Sequence, residues 1–242
     1  MTDISNSEEV ALVVGTGPGL GLSLARCFTH AGMKVGISAR NGTQLESWAS
    51  DLCSKGHTVS AYPCDTTNES NVKAALHQLT RELGLPTLVV YNAGAYMPGK
   101  VVDTSVADFE HCWRVGCLGG FIIGKESAKL MLERGSGTLL FTGATASLRG
   151  GAGFANLAVG KSGLRALAQS MARELGPRGI HVGHVIIDGQ IQSERYAHLV
   201  KERPADGLLD PDAIARSYLH LHQQQRSAWT LELDLRPWCE KF

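Results

Sequence analysis

The sequence predicts an α/β domain built on a doubly wound parallel sheet of about seven strands, with helices on both faces. Three observations predict it. Short runs of valine, leucine and isoleucine alternate with longer segments whose apolar residues recur at helical spacing. The short runs are apolar almost throughout rather than at every second residue, as strands buried on both faces must be. The first run passes through a glycine-rich turn directly into a helical pattern, and such crossovers set successive strands parallel.

Taken in order, VALVV (Val10 to Val14) is the first strand. The following helix carries Leu20, Leu24, Cys27 and Ala31 on one face, and Gly32 ends it, since glycine closes a helix in the left-handed conformation at little cost. MKVGISA, HTVSAY and TLVVY (Thr87 to Tyr91) supply the next three strands, and GTLLFT and IHVGHVII the fifth and sixth. Between those two, Leu164, Leu167, Ala168, Met171 and Leu175 form an apolar stripe stopped by Gly176-Pro177. WTLEL is the expected last strand. No long linker, repeat or low-complexity tract interrupts residues 1–242, which read as a single domain. The segment from Ser193 to Pro211 breaks the rhythm after a late strand. In a doubly wound sheet that position lies at the carboxyl ends of the strands, where ligands bind, so residues 193–211 are expected to form a substrate lid. A helix then opens at Pro211 and ends in His220 and His222.

The bulk numbers exclude several functions. A chain of 242 residues fits one large α/β domain. Lys plus Arg total 23 and Asp plus Glu total 23, so no basic surplus exists for a nucleic-acid partner. The six cysteines form no Cys-x-x-Cys pair and stand beside no histidine at zinc-finger spacing, so no metal site is expected. The N-terminal MTDISNSEEV is polar and acidic, without the features of a signal peptide. No apolar run approaches the ~20 residues that cross a bilayer. The expected setting is the cytoplasm, with no membrane partner and with thiols reduced.

The chemistry begins at GTGPGLG. Gly15, Gly17, Pro18, Gly19, Leu20 and Gly21 join a strand to a helix. Backbone N–H groups in such a turn approach a pyrophosphate closely, and the positive end of the helix faces the anion. The second strand ends in Ala39 and Arg40, with no acidic residue until Glu46. A guanidinium there pairs with a ribose 2′-phosphate through two parallel hydrogen bonds, which points to NADP(H) as cofactor.

The spacing of Gly15, Gly19 and Gly21 resembles the Gly-x-x-x-Gly-x-Gly of the short-chain dehydrogenase/reductase family. Three further stretches are similar to its motifs: YNAG with Asn92, Ala93 and Gly94; CDTTNES with Asp65, matching an adenine contact; and HVIIDG, where Asp188 and Gly189 stand at a Pro-Gly turn. The resemblance runs from Val10 to about Trp238. It implies a Rossmann fold, a nicotinamide cofactor contacted also near Thr142, and an Asn-Ser-Tyr-Lys tetrad for acid–base chemistry coupled to hydride transfer. Of that tetrad only Lys161 is present, as the expected catalytic residue and ribose ligand. Leu157 stands at the tyrosine, Ala144 at the serine and Gly116 at the asparagine.

Two readings follow. One is an NADP(H)-dependent oxidoreductase reducing an activated C=O, C=C or C=N acceptor that needs little protonation. Its proton would come from Lys161, a threonine of the 142–145 stretch, Tyr96 or water. The other is a catalytically inactive NADP(H)-binding sensor, scaffold or partner subunit. The resemblance also implies a homodimer or homotetramer. Its contacts would run through the helix bearing Lys161 and the one carrying Phe121 to Met131, with the apolar C-terminal stretch adding a final strand.

Overall fold

Seven parallel strands lie in the order β3-β2-β1-β4-β5-β6-β7. They are β1 (Val10–Val14), β2 (Lys34–Ser38), β3 (Val59–Ala61), β4 (Leu88–Tyr91), β5 (Gly137–Thr142), β6 (Ile180–Ile187) and β7 (Glu232–Leu235). The structure, a computed structural model, describes residues 9–241. The N-terminal residues 1–8, part of the stretch read as lacking a signal peptide, lie outside the described residues. The helices are α1 (Leu20–His30), α2 (Gly42–Ser54), α3 (Glu69–Glu82), α4 (Val106–Trp113), α5 (Gly119–Arg134), α6 (Ala155–Leu175) and α7 (Pro211–His222).

Strands β1, β2, β4, β5 and β6 are buried along nearly their whole length, so their alternate side chains feed two separate cores. Ala11 and Val13 pack with Leu24 and Phe28 of α1 and Tyr218 of α7. Leu12 and Val14 pack on the other face with Leu79 of α3, Ile123 of α5 and Leu164 of α6. Local chemistry sets the helix starts: the Asn41, Asn68, Ser105 and Asp210 side chains each accept a backbone N–H of the first turn that follows.

The chain winds outward from β1 to β3, then crosses to β4 on the other side of β1. Val14 pairs with both Ser38 and Tyr91. The residues following these three positions therefore emerge together at one rim, where the winding reverses and a crevice opens.

Some boundaries differ from the sequence expectation. Only Val59–Ala61 of HTVSAY joins the ladder. The last strand lies later than WTLEL, because the Trp229 indole stacks on His181, with ring centroids 4.9 Å apart, and donates to the Gln224 carbonyl. Within the expected lid, Glu194–Lys201 forms tight helical turns, and Leu209 bridges to Ile191, just before the segment begins. A π-helical turn, Arg114–Leu118, joins α4 to α5 and has no signature in the sequence. None of the six cysteines is in a disulfide; Cys64 and Cys112 are buried, and Cys53 is exposed.

Candidate active site

The crevice at the reversal is built from backbone. Gly15 has φ +88°, and a Cβ there would lie 2.4 Å from the Ala93 nitrogen, so only glycine lets the two turns touch. Asn92 locks the contact: its N–H donates to the Val14 carbonyl at 2.7 Å and its side-chain amide to the Gly15 carbonyl at 3.0 Å. A Cβ at Gly17 or Gly19 would meet nothing within 4 Å, so the space above the turn is open. Gly19 caps α1 with no side-chain hydrogen bond. Pro18 is exposed, whereas Leu20 and Gly21 are buried in the first turn of α1. An open glycine-lined cradle at an uncapped helix N-terminus fits the pyrophosphate of a dinucleotide.

Gly15, Arg40, Asp65, Asn92, Ala93 and Gly94 line one cavity of about 240 Å³. Asp65 accepts the Thr67 N–H and hydroxyl at 2.9 and 2.8 Å. Those bonds, with the Arg40 and Arg114 cations nearby, hold its carboxyl below the usual range. Arg40 is exposed at the rim of the same cavity. Together these residues offer an acceptor for an adenine amino group and a cation for a phosphate.

Lys161 is buried in α6, and its Nζ donates to the Thr142 carbonyl at 2.7 Å. Burial pushes its pKa down to about 8. Its Nζ lies 3.6 Å from where a Cβ on Gly94 would stand, which sets it against the dinucleotide crevice. Thr142 takes part through that carbonyl. Its hydroxyl instead shares a 2.8 Å hydrogen bond with the buried Tyr218 hydroxyl.

Of the three positions where the tetrad residues are replaced, Gly116 is closely packed and the other two line a cavity. Gly116 lies in the π-helical turn, and a Cβ there would stand 3.2 Å from Gly160 Cα. The backbones of that turn and of α6 therefore come close one residue before Lys161, and a side chain at 116 would press on α6. Beside it, the Tyr91 hydroxyl donates to the Val115 carbonyl, within the same π-helical turn. It occupies the space that a Cβ on Gly119 would need, at 2.4 Å. Leu157 and Ala144 line a second cavity of about 570 Å³.

That second cavity is also lined by Asp188 and Gly189, by Tyr96 stacked on Phe154, and by Tyr196 of the expected lid. Sequence reasoning placed Asp188 only as a cofactor contact. In the structure its carboxylate accepts the Thr145 hydroxyl. Arg236 Nη1 lies 3.3 Å from the other carboxylate oxygen. Sequence reasoning missed this chain of contacts, and it also missed Glu240, which lines the cavity and lies 3.9 Å from Arg203. The one sequence signal was an acid standing where the family has proline.

The chain resembles known proteins throughout this region. The family model described as short chain dehydrogenase matches residues 9–203. The (21S)-21-acetoxyl-apo-melianone synthase SDR of Melia azedarach is 32% identical over 179 residues, 73% of this chain and 65% of that protein, so the chain spans just under two thirds of that relative. A short-chain dehydrogenase from Rhodopseudomonas palustris has a solved structure 38% identical, with TM-score 0.84, covering 95% of this chain and 99% of that one. A gluconate 5-dehydrogenase from Burkholderia cenocepacia J2315, solved with NADP and tartrate, shares the fold at TM-score 0.85 and 22% identity, covering 94% of this chain and 93% of that one. The glycine cradle, the Asn92 lock and Lys161 thus stand in a chain that belongs to the short-chain dehydrogenase family.

Proposed function

We propose that this protein is an NADP(H)-dependent oxidoreductase that reduces an activated C=O, C=C or C=N acceptor without a tyrosine acid. The observation that carries this reading is the second cavity. It stays open beside Leu157, one helical turn before Lys161, although the serine and tyrosine positions are Ala144 and Leu157. A chain kept only to bind a dinucleotide has no need of a space of about 570 Å³ lined by Tyr96, Thr145 and Asp188. The glycine cradle holds the pyrophosphate, Asp65 faces the adenine, Arg40 takes the 2′-phosphate, and Lys161 holds the nicotinamide ribose. The bound cofactor supplies the hydride. Leu157 and Ala144 exclude water from the reacting face, and segment 193–211 covers it as a lid. Arg40 and the NADP held by the Burkholderia neighbour both support the phosphorylated cofactor.

The assembly we propose is a homodimer or homotetramer through α5 and α6, which leave Phe121 and Val159 exposed. Light scattering is expected to report two or four times 25.9 kDa; a stable monomer would contradict it. The activity is tested by NADPH consumption against ketones, conjugated enones and cyclic imines. Turnover of an enone or imine is expected, and Lys161→Ala is expected to abolish it. NADPH binding without turnover of any class would support the sensor or scaffold reading instead.

A further inference from the structure

Thr145 and Asp188 form a hydrogen-bonded pair at the wall of the second cavity. Both residues line the cavity in which Ala144 and Leu157 stand where the family's serine and tyrosine hydroxyls would be. Thr145 follows Ala144 directly and opens the short helical turn Thr145–Ser147. Its position is braced from beneath: the Ala144 N–H donates to Ser147 Oγ at 3.1 Å, and Ser147 Oγ lies 3.3 Å from Nε2 of the fully buried His184. Asp188 is only 5% exposed. Its N–H donates to the Leu235 carbonyl at 2.8 Å, and Arg236 faces its second carboxylate oxygen.

A carboxylate carries no hydrogen, so Thr145 is the donor in this pair. Its single hydroxyl hydrogen is committed, and only its lone pairs remain for a ligand. A ketone or enone oxygen would set lone pairs against lone pairs. A nitrogen bearing hydrogen would complete the chain N–H to Thr145 to Asp188.

Resting on the oxidoreductase reading above, we propose that the substrate's reacting heteroatom enters this cavity as a hydrogen-bond donor, and that the acceptor is a protonated C=N bond. Hydride from the reduced dinucleotide forms the new C–H bond, and the C=N π pair becomes the nitrogen lone pair. The N–H hydrogen stays where it was. The product is an amine, and no group has to replace the missing tyrosine as an acid. Thr145 is the residue that recognises the nitrogen, and Asp188 positions it.

The test is calorimetric binding of 1,2,3,4-tetrahydroisoquinoline and 2-tetralone, two probes on one ring framework, to the full chain with and without NADP⁺. The amine is expected to bind about tenfold more tightly than the ketone, as one charge-assisted hydrogen bond implies. Thr145→Val keeps the shape without the lone pairs and is expected to erase the preference, while Thr145→Ser retains it. Equal or tighter ketone binding overturns the proposal. So does a preference that survives in Thr145→Val, or a ketone preference lost in Tyr96→Phe. NADPH binding, read separately by fluorescence, distinguishes the two levels. Its absence counts against the oxidoreductase reading, whereas its presence without an amine preference counts against the protonated C=N substrate alone.

Discussion

Leu157 and Lys161 lie one helical turn apart on α6, so they share a face. The apolar member lines the cavity while the charged member turns inward to the Thr142 carbonyl. Sequence alone gave access to the Gly15–Gly21 turn, Arg40 and Lys161, because each sits in a short local pattern with its own chemistry. The Thr145–Asp188 contact was not legible, because it joins the ends of β5 and β6 and only the folded sheet brings them together. Nor did a local pattern betray that the Tyr91 hydroxyl takes the space a Cβ on Gly119 would need, beside the π-helical turn. Arg40 carries a prediction at this scale. Arg40→Ala is expected to weaken NADPH binding about ten- to a hundredfold, as loss of charge-assisted hydrogen bonds worth ~1.5–3 kcal/mol implies. NADH binding should hardly change. Equal loss for both cofactors in fluorescence titrations would remove Arg40 from the 2′-phosphate site.

At the scale of elements, β6 ties the reacting rim to the edge strand. His184 sits within it, fully buried, with Ser147 on one ring nitrogen and the Glu232 carboxylate 4.0 Å from the other. Glu232 of β7 is gripped by Arg165 of α6 through two hydrogen bonds, which hold its pKa down to about 2. Burial pushes His184 down to about 4 from the usual 6.5, and moves His181 in the same direction. The folded chain thus keeps these rings neutral where the unfolded chain takes up protons. Their contribution to stability is complete above about pH 6.5 and falls as pH drops toward 4. Melting temperatures should decline between pH 7 and 5, and His184→Leu should flatten that decline. An unchanged slope in the variant would show that His184 stays neutral in neither state or both. The inner strands were legible because burial on both sheet faces makes them nearly continuous apolar runs, whereas the edge strand β7 reads Glu-Leu-Asp-Leu. The misplaced edges lie where a side chain overrides the ladder, as Trp229 does by stacking on His181.

For the whole molecule, strand order decides where function sits. The reversal between β1 and β4 puts the glycine turn, Arg40 and the Asn92 turn at one rim. The ends of β5 and β6, with segment 193–211, enclose the second cavity beside it. The C-terminal stretch closes the arrangement: Trp238 donates to the Ala205 carbonyl at 3.0 Å, and Glu240 faces the cavity. Among the described residues no helix is long and apolar enough to cross a membrane. The layout sets a glycine-lined cradle beside a second, open cavity, and the proposed hydride transfer rests on that pairing. Tracing the hydride tests this most directly. The full chain, given NADPH deuterated at the transferring position and a panel of cyclic imines, enones and ketones, should yield a reduced product carrying one deuterium on carbon, detected by mass spectrometry. NADPH bound by the protein with no deuterium in any product would contradict it.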